Sequence, residues 1–290
     1  MIYRKRKMQK RIPDLNRIIA GIDDLPTLPR TVLKITELVN DPKSSAKDLA
    51  RVITDDQILT ARLLKLVNSS FYGLPQRIST VTGAIVLIGF DAIRNLLLTT
   101  SVFDLFAGRN KKKQQKQEQF WDHSLGCAVG AKVIGNYLRY DNIEELFVAG
   151  LLHDIGKIVE MMFQPDEFSK VAAAISRENI LMIKAEIRIL GYSHAEIGKL
   201  LAEKWNLPSK LVQIIAHHHQ PTDAGSFAIE AAIVHLADIF CRALNMGSGG
   251  DNKIPSLDRF AWESLKIQTN AIEGIMETMH DEYGDIRSFI

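Results

Sequence analysis

Apolar residues recur along most of the chain at intervals of three and four, the spacing of helices with one buried face, and the regular turn spacing of a sheet protein is missing. Val32, Ile35, Leu38 and Val39 keep that interval and stop at Asn40-Asp41-Pro42, since a residue before proline is pushed out of the helical region. Ser45 with Asp48 three positions on has the form of a capping box and leads into Leu49-Ala50-Arg51-Val52-Ile53, with a boundary at Asp55-Asp56. Ile58 to Val67 is strongly apolar and stops at Asn68-Ser69-Ser70-Phe71-Tyr72-Gly73, with Pro75 just beyond. Val81 to Ile88 and Ala92 to Phe106 continue the pattern, with Gly89 as a breaker between them. Leu25-Pro26-Thr27-Leu28-Pro29 reads as an extended lead-in. The expected fold class is all-α.

Between Gly108 and Gln119 the pattern lapses into a basic, glutamine-rich run with nothing to bury, which marks a domain joint or an exposed helix start. The expected organisation is a bundle of two helical subdomains. A basic tail covers 1–19, a first helical subdomain 20–108, a polar linker 109–119 and a second helical subdomain 120–245. A loop and terminal helices then cover 246–290. Met246-Gly247-Ser248-Gly249-Gly250-Asp251 reads as a flexible loop. No internal repeat is visible.

Composition narrows the class but not the role. Hydrophobic residues make up 46% and charged residues 24%, which excludes a wholly disordered or fibrous chain. The 36 basic and 34 acidic residues leave a net charge of +2, so no overall field draws in nucleic acid, which is not an expected partner. Cys127 and Cys241 each lie in an apolar stretch and read as buried thiols in a reducing compartment. Met1 to Arg11 is basic, but no apolar segment follows it, so it does not read as a secretory signal; Met8 is an alternative start. No apolar run approaches the roughly 20 residues of a membrane-crossing helix. A cytoplasmic protein without a membrane span is expected.

The candidate chemistry lies in the second segment: His123, His153-Asp154, His194, His217-His218-His219 and Asp238. Imidazole and carboxylate donors without thiolates suit a divalent transition metal of the Fe, Mn, Ni, Co or Zn group, and a mixed set is compatible with two-metal chemistry. His153-Asp154 follows the apolar run Leu146 to Leu152, so both polar side chains need partners. Ser193 and Glu196 form a second capping box, which puts His194 in a first helical turn, where the helix dipole disfavours a protonated ring. The three consecutive histidines close an apolar helix before Pro221; at about 100° per residue they cannot all face one site. Asp238 sits in the apolar helix Ile233 to Phe240. Taken singly, each histidine also fits a hydrogen-bonded core residue, and Asp238 also fits an acceptor for His235 or for a nearby backbone group.

The order His, His-Asp, further histidines and a late Asp resembles the HD metal-dependent phosphohydrolase superfamily. His153-Asp154-Ile155-Gly156-Lys157 carries the likeness, with Trp121-Asp122-His123-Ser124 before it and His235-Leu236-Ala237-Asp238 after it. The resemblance implies a core metal site of His123, His153, Asp154 and Asp238, with Asp154 as the bridge. It implies a second ion on His194, His218 and His219, the last two chosen because they directly precede Gln220-Pro221 as in similar proteins. Residues 20–245 are similar more narrowly to the HDOD domain, through Leu25-Pro26-Thr27-Leu28-Pro29, Leu59 to Ser69 and Ala84-Ile85-Val86-Leu87-Ile88-Gly89. That implies a bacterial signalling output module, although many such domains have lost the ligands retained here. Asp56-Gln57 stands where the family often has Asp-Pro. The chain also resembles HD-GYP phosphodiesterases, but the Gly-Tyr-Pro element is missing after His219.

The resemblance implies two functions. One is a metal-containing regulatory module that binds a signalling protein or a small phosphorylated ligand. The other is a metal-dependent phosphohydrolase or phosphodiesterase acting on a nucleotide or cyclic dinucleotide, with Asp154 holding the ions and Lys157 neutralising phosphate charge. With no receiver or second-messenger-synthesis pattern in these residues, any input is expected in trans.

Overall fold

The computed structural model describes residues 30–41, 43–68, 76–90, 92–94, 96–97 and 111–287. The basic tail, the extended lead-in at Leu25 to Pro29, the stop at Ser69 to Gly73 and most of the segment expected to end at Phe106 lie outside them. Among the described residues the secondary structure is helical, without a strand.

The first group comprises α1 (Arg30–Asn40), α2 (Ala46–Thr54), α3 (Gln57–Val67) and α4 (Val81–Ile88). Their boundaries follow local chemistry. Ser45 caps α2 through the expected box with Asp48, and Gly89 ends α4 at φ 86°, a value open to glycine because it has no Cβ. α2 packs on α1, α3 and α4, burying Ile35, Leu49, Ile53, Leu63 and Ile85.

α5 (Lys111–Tyr137, 27 residues) begins inside the run expected as a linker. Residues 111–119 are therefore helical, the second of the two alternatives open in the sequence, and Gln117 is already buried. α6 (Ile143–Leu152), α12 (Ala228–Ala243) and α14 (Ile272–Arg287) pack along α5. α6 is buried at every position from Leu146 to Leu152, so it behaves as a core helix rather than an amphipathic one. α7 (Ile155–Phe163), α8 (Pro165–Glu178), α9 (Met182–Ile189), α10 (His194–Lys204) and α11 (Ser209–His217) follow. A 3-10 segment, Pro221–Phe227, leads into α12, and α13 (Arg259–Leu265) packs on α12. Cys127 and Cys241 are buried free thiols, as expected.

One expectation is corrected by Pro221–Ala243, which is 23 residues long at mean hydropathy 1.5 and is apolar enough by length and composition to cross a membrane. Its most apolar window is 72% buried within the protein, and the segment bends at Gly225 (φ 61°, ψ −120°). Its apolar side chains serve the core around α5.

Candidate metal centre

Five elements deliver the polar residues to one place. His123 comes from the middle of α5, His153 and Asp154 from the α6–α7 junction, and His194 from the first position of α10. His218 and His219 follow α11, and Asp238 comes from α12. Asp154 is the residue before α7 at φ −101°, ψ 11°, with no capping bond from its carboxylate, so the side chain is free to face the cluster. The Ser193–Glu196 box fixes the start of α10 as expected, with Glu196 Oε2 accepting from Ser193 N at 2.8 Å.

Asp154 is the hub. Its Oδ2 lies 3.2 Å from His153 Nε2 and 3.5 Å from His123 Nε2. Its Oδ1 lies 3.2 Å from His194 Nε2 and 3.7 Å from His218 Nε2. His123 Nε2 is also 3.0 Å from Asp238 Oδ1, and His219 Nε2 is 3.0 Å from His194 Nε2. The two carboxylate oxygens thus face two groups of imidazoles. His217 is half-buried and belongs to none of the ligand groupings.

The outward bonds of the rings fix their chemistry. His153 Nδ1 is 2.6 Å from Gly150 O, His218 Nδ1 is 2.9 Å from Ile215 O, and His194 Nδ1 is 2.7 Å from Glu186 Oε2. Each acceptor places the proton on Nδ1 and leaves an Nε2 lone pair pointing inward, the arrangement metal-binding histidines adopt. The Nε2 atoms of His123, His153 and His218, with Asp154 Oδ1, are buried without a hydrogen-bond partner. Orphaned lone pairs converging on one space are costly unless a cation satisfies them, so the donor set fits a divalent metal. His194, His218 and His219 can share one ion, and His123, His153 and Asp238 another.

Two neighbours of the site lie outside the sequence reading and a third departs from it. Arg242 Nε donates to Asp238 Oδ1 at 2.9 Å, four residues on along α12. Glu186, on α9, orients His194 from outside the site. The loop 246–251, expected to be flexible, is bonded into place: Ser248 N donates to Gln119 O at 2.9 Å and Asp251 Oδ2 accepts from Met182 N at 2.7 Å. None of these pairings leaves a signal in sequence spacing except Arg242, one turn after Asp238. Two side chains also depart from expectation. His235 does not serve Asp238; its Nδ1 meets His218 O at 2.8 Å and its Nε2 accepts from Asp258 N at 3.0 Å. Lys157 is fully buried, with Nζ 2.5 Å from Asp154 Oδ2 and 2.9 Å from Gly249 O, so its charge is already engaged rather than presented to solvent.

Electrostatics follow the burial. Desolvation works against ionising Asp154, but His153 and Lys157 hold its carboxyl well below the usual range. Asp238 is likewise held down against desolvation by Arg242 and His123. Burial pushes His123, His218 and His219 below the ordinary imidazole value. His194 moves the other way: burial would lower it, but the Glu186 and Asp154 carboxylates raise it, which overrules the helix-dipole expectation. Metal-stripped protein is therefore expected to lose stability on acidification. The folded state resists protonating three histidines that the unfolded chain protonates freely near pH 6.5, so their contribution is full above that pH and declines below it. Thermal melts between pH 7.5 and 5.5 check this; a Tm that rises as pH falls would contradict it.

The HDOD domain profile matches residues 25–221. The chain belongs to the HDOD family. Among solved structures, an HDOD domain protein of unknown function from Geobacter sulfurreducens is similar at 30% identity and a TM-score of 0.74, over 93% of this chain and 96% of that one. A Shewanella amazonensis SB2B protein provisionally named a phosphohydrolase is similar at 25% identity and a TM-score of 0.70, over 92% of this HDOD chain and 94% of its own. An uncharacterized protein of Treponema pallidum (strain Nichols) is 29% identical over 198 residues, 68% of this chain. That match spans 38% of the Treponema protein's length.

Proposed function

We propose that this HDOD protein is a cytoplasmic signal-transduction module with an HD-type centre for one or two divalent transition metals. It acts by binding a signalling protein or a small phosphorylated ligand. His123, His153, Asp154 and Asp238 would hold one ion, and His194, His218 and His219, sharing Asp154, another. Bound there, the metal would supply concentrated positive charge and Lewis acidity.

The observation that carries the regulatory reading is enclosure. His123, His153, Asp154, His194, His218 and Asp238 are each at most 2% exposed, and Lys157 is at 0%. A hydrolase must bring both a phosphorus atom and water to its metals, whereas this centre is covered and its two nearest cations already hold protein oxygens. The phosphohydrolase reading keeps one observation in its favour: His219 is partly exposed, a contact between the cluster and solvent.

The test is turnover. The 290-residue chain loaded with Mn²⁺ or Fe²⁺ is expected to release no product above background from a model phosphodiester or from cyclic dinucleotides, while its metal content drops in His153→Ala. Metal-dependent hydrolysis that disappears in His153→Ala would sink the regulatory reading and establish the enzyme.

A further inference from the structure

The segment after α12 has an unusual relation to the metal ligands. The two cations that touch the ligand carboxylates also hold this segment. Lys157 Nζ bonds Asp154 Oδ2 and Gly249 O. Arg242 bonds Asp238 Oδ1 through Nε, and reaches Gly249 O at 3.4 Å through Nη2. Its Nη1 reaches Lys253 O at 3.2 Å and Asp251 Oδ1 at 3.3 Å. One carbonyl, Gly249 O, is therefore shared by both cations. The segment is built to lie this close: a Cβ on Gly249 would fall 2.4 Å from the Arg242 guanidinium, and one on Gly247 (φ +68°) would fall 2.2 Å from His123 N.

The charges of the centre bear directly on this segment. Without metal, Lys157 faces Asp154, and Arg242 faces both Asp238 of the centre and Asp251 of the segment. A divalent cation held by the centre would compete with Lys157 and Arg242 for Asp154 and Asp238 and, in a buried, weakly screened site, push both side chains off the positions from which they reach the segment. We propose that residues 246–253 form a strap that is latched by Lys157 and Arg242 while the centre is metal-free and released when it fills. This rests on the metal reading above and adds an output to it. Ser248 and Gly250 of the strap line a small cleft of about 90 Å³ with Phe120, Phe168 and Met182, and Asp251 anchors the first residue of α9. Release of the strap opens this apolar cleft and frees α9 from that anchor, so the metal state is written onto the surface.

Hydrogen–deuterium exchange of the full chain, with Mn²⁺ as the sole probe and metal content measured on the same samples, tests the latch. Peptides covering 246–253 are expected to exchange about tenfold faster or more with Mn²⁺ bound, as local opening becomes easier, while peptides of α6 and α7 slow. In metal-stripped protein, Gly249→Ala and Arg242→Gln are expected to raise strap exchange on their own. Mn²⁺ bound at the centre with strap exchange unchanged or slower overturns the latch and leaves the metal reading standing. Failure to bind Mn²⁺ overturns both. Unchanged exchange in both variants overturns the role of Arg242 in holding the strap.

Discussion

Asp154→Ala is expected to reduce bound metal from one or two equivalents to background. The carboxylate is the group that both imidazole sets approach, at 3.2 to 3.7 Å, so its removal takes a ligand from each half of the donor set at once. The same change strands the fully buried Lys157 ammonium with Gly249 O as its remaining partner. Removing one partner of a buried charged pair destabilises by about 3 to 5 kcal/mol, so the metal-stripped variant is also expected to unfold at markedly lower denaturant concentration. Elemental analysis of protein purified without a metal-affinity column, paired with denaturant melts, measures both effects. Equal metal content in wild type and variant would remove Asp154 from the centre.

Gly156→Ala is expected to be nearly as damaging, although it deletes nothing. A Cβ at this position would lie 1.9 Å from His194 O, 2.7 Å from His194 C and 3.0 Å from Gly198 N. These are backbone atoms of α10 and cannot swing aside as a side chain tip would, so α7 and α10 must separate. Overpacking costs about 1 to 3 kcal/mol where the surroundings yield, and this contact lies at or above that upper end. Separation also draws His194 away from Asp154, so occupancy of the second ion should fall with stability. Gly284→Ala in α14, where a Cβ meets nothing within 4 Å, is the control and should stabilise by roughly 0.5 to 1 kcal/mol. Similar melts for the two variants would mean that α7 and α10 tolerate the insertion.

Features whose physics is local are legible in the sequence. Capping boxes at Ser45 and Ser193 need a partner three residues away, and both form. The convergence of His153, Asp154 and Asp238 is legible because polar groups in buried apolar helices demand partners, whatever the partners are. Features that depend on distant elements meeting are not legible. Glu186 reaches His194 from another helix, Gly249 offers a backbone carbonyl that no side-chain pattern announces, and His235 turns to Asp258 and His218 rather than to its neighbour Asp238. The loop 246–251 misleads for the same reason. Its glycines suggest freedom when taken alone, but here they permit close approach to His123 and Arg242.

His123 sits near the midpoint of α5, a 27-residue helix about 40 Å long at 1.5 Å per residue. Because side chains stand about 5 to 6 Å from the helix axis, a roll of about 10° carries the imidazole by about 1 Å, several times the ~0.2 Å tolerance of a metal–ligand bond. A partner that twists α5 by its exposed Gln115, Lys116 and Glu118 would therefore grip or loosen the centre from about two turns away, without touching it.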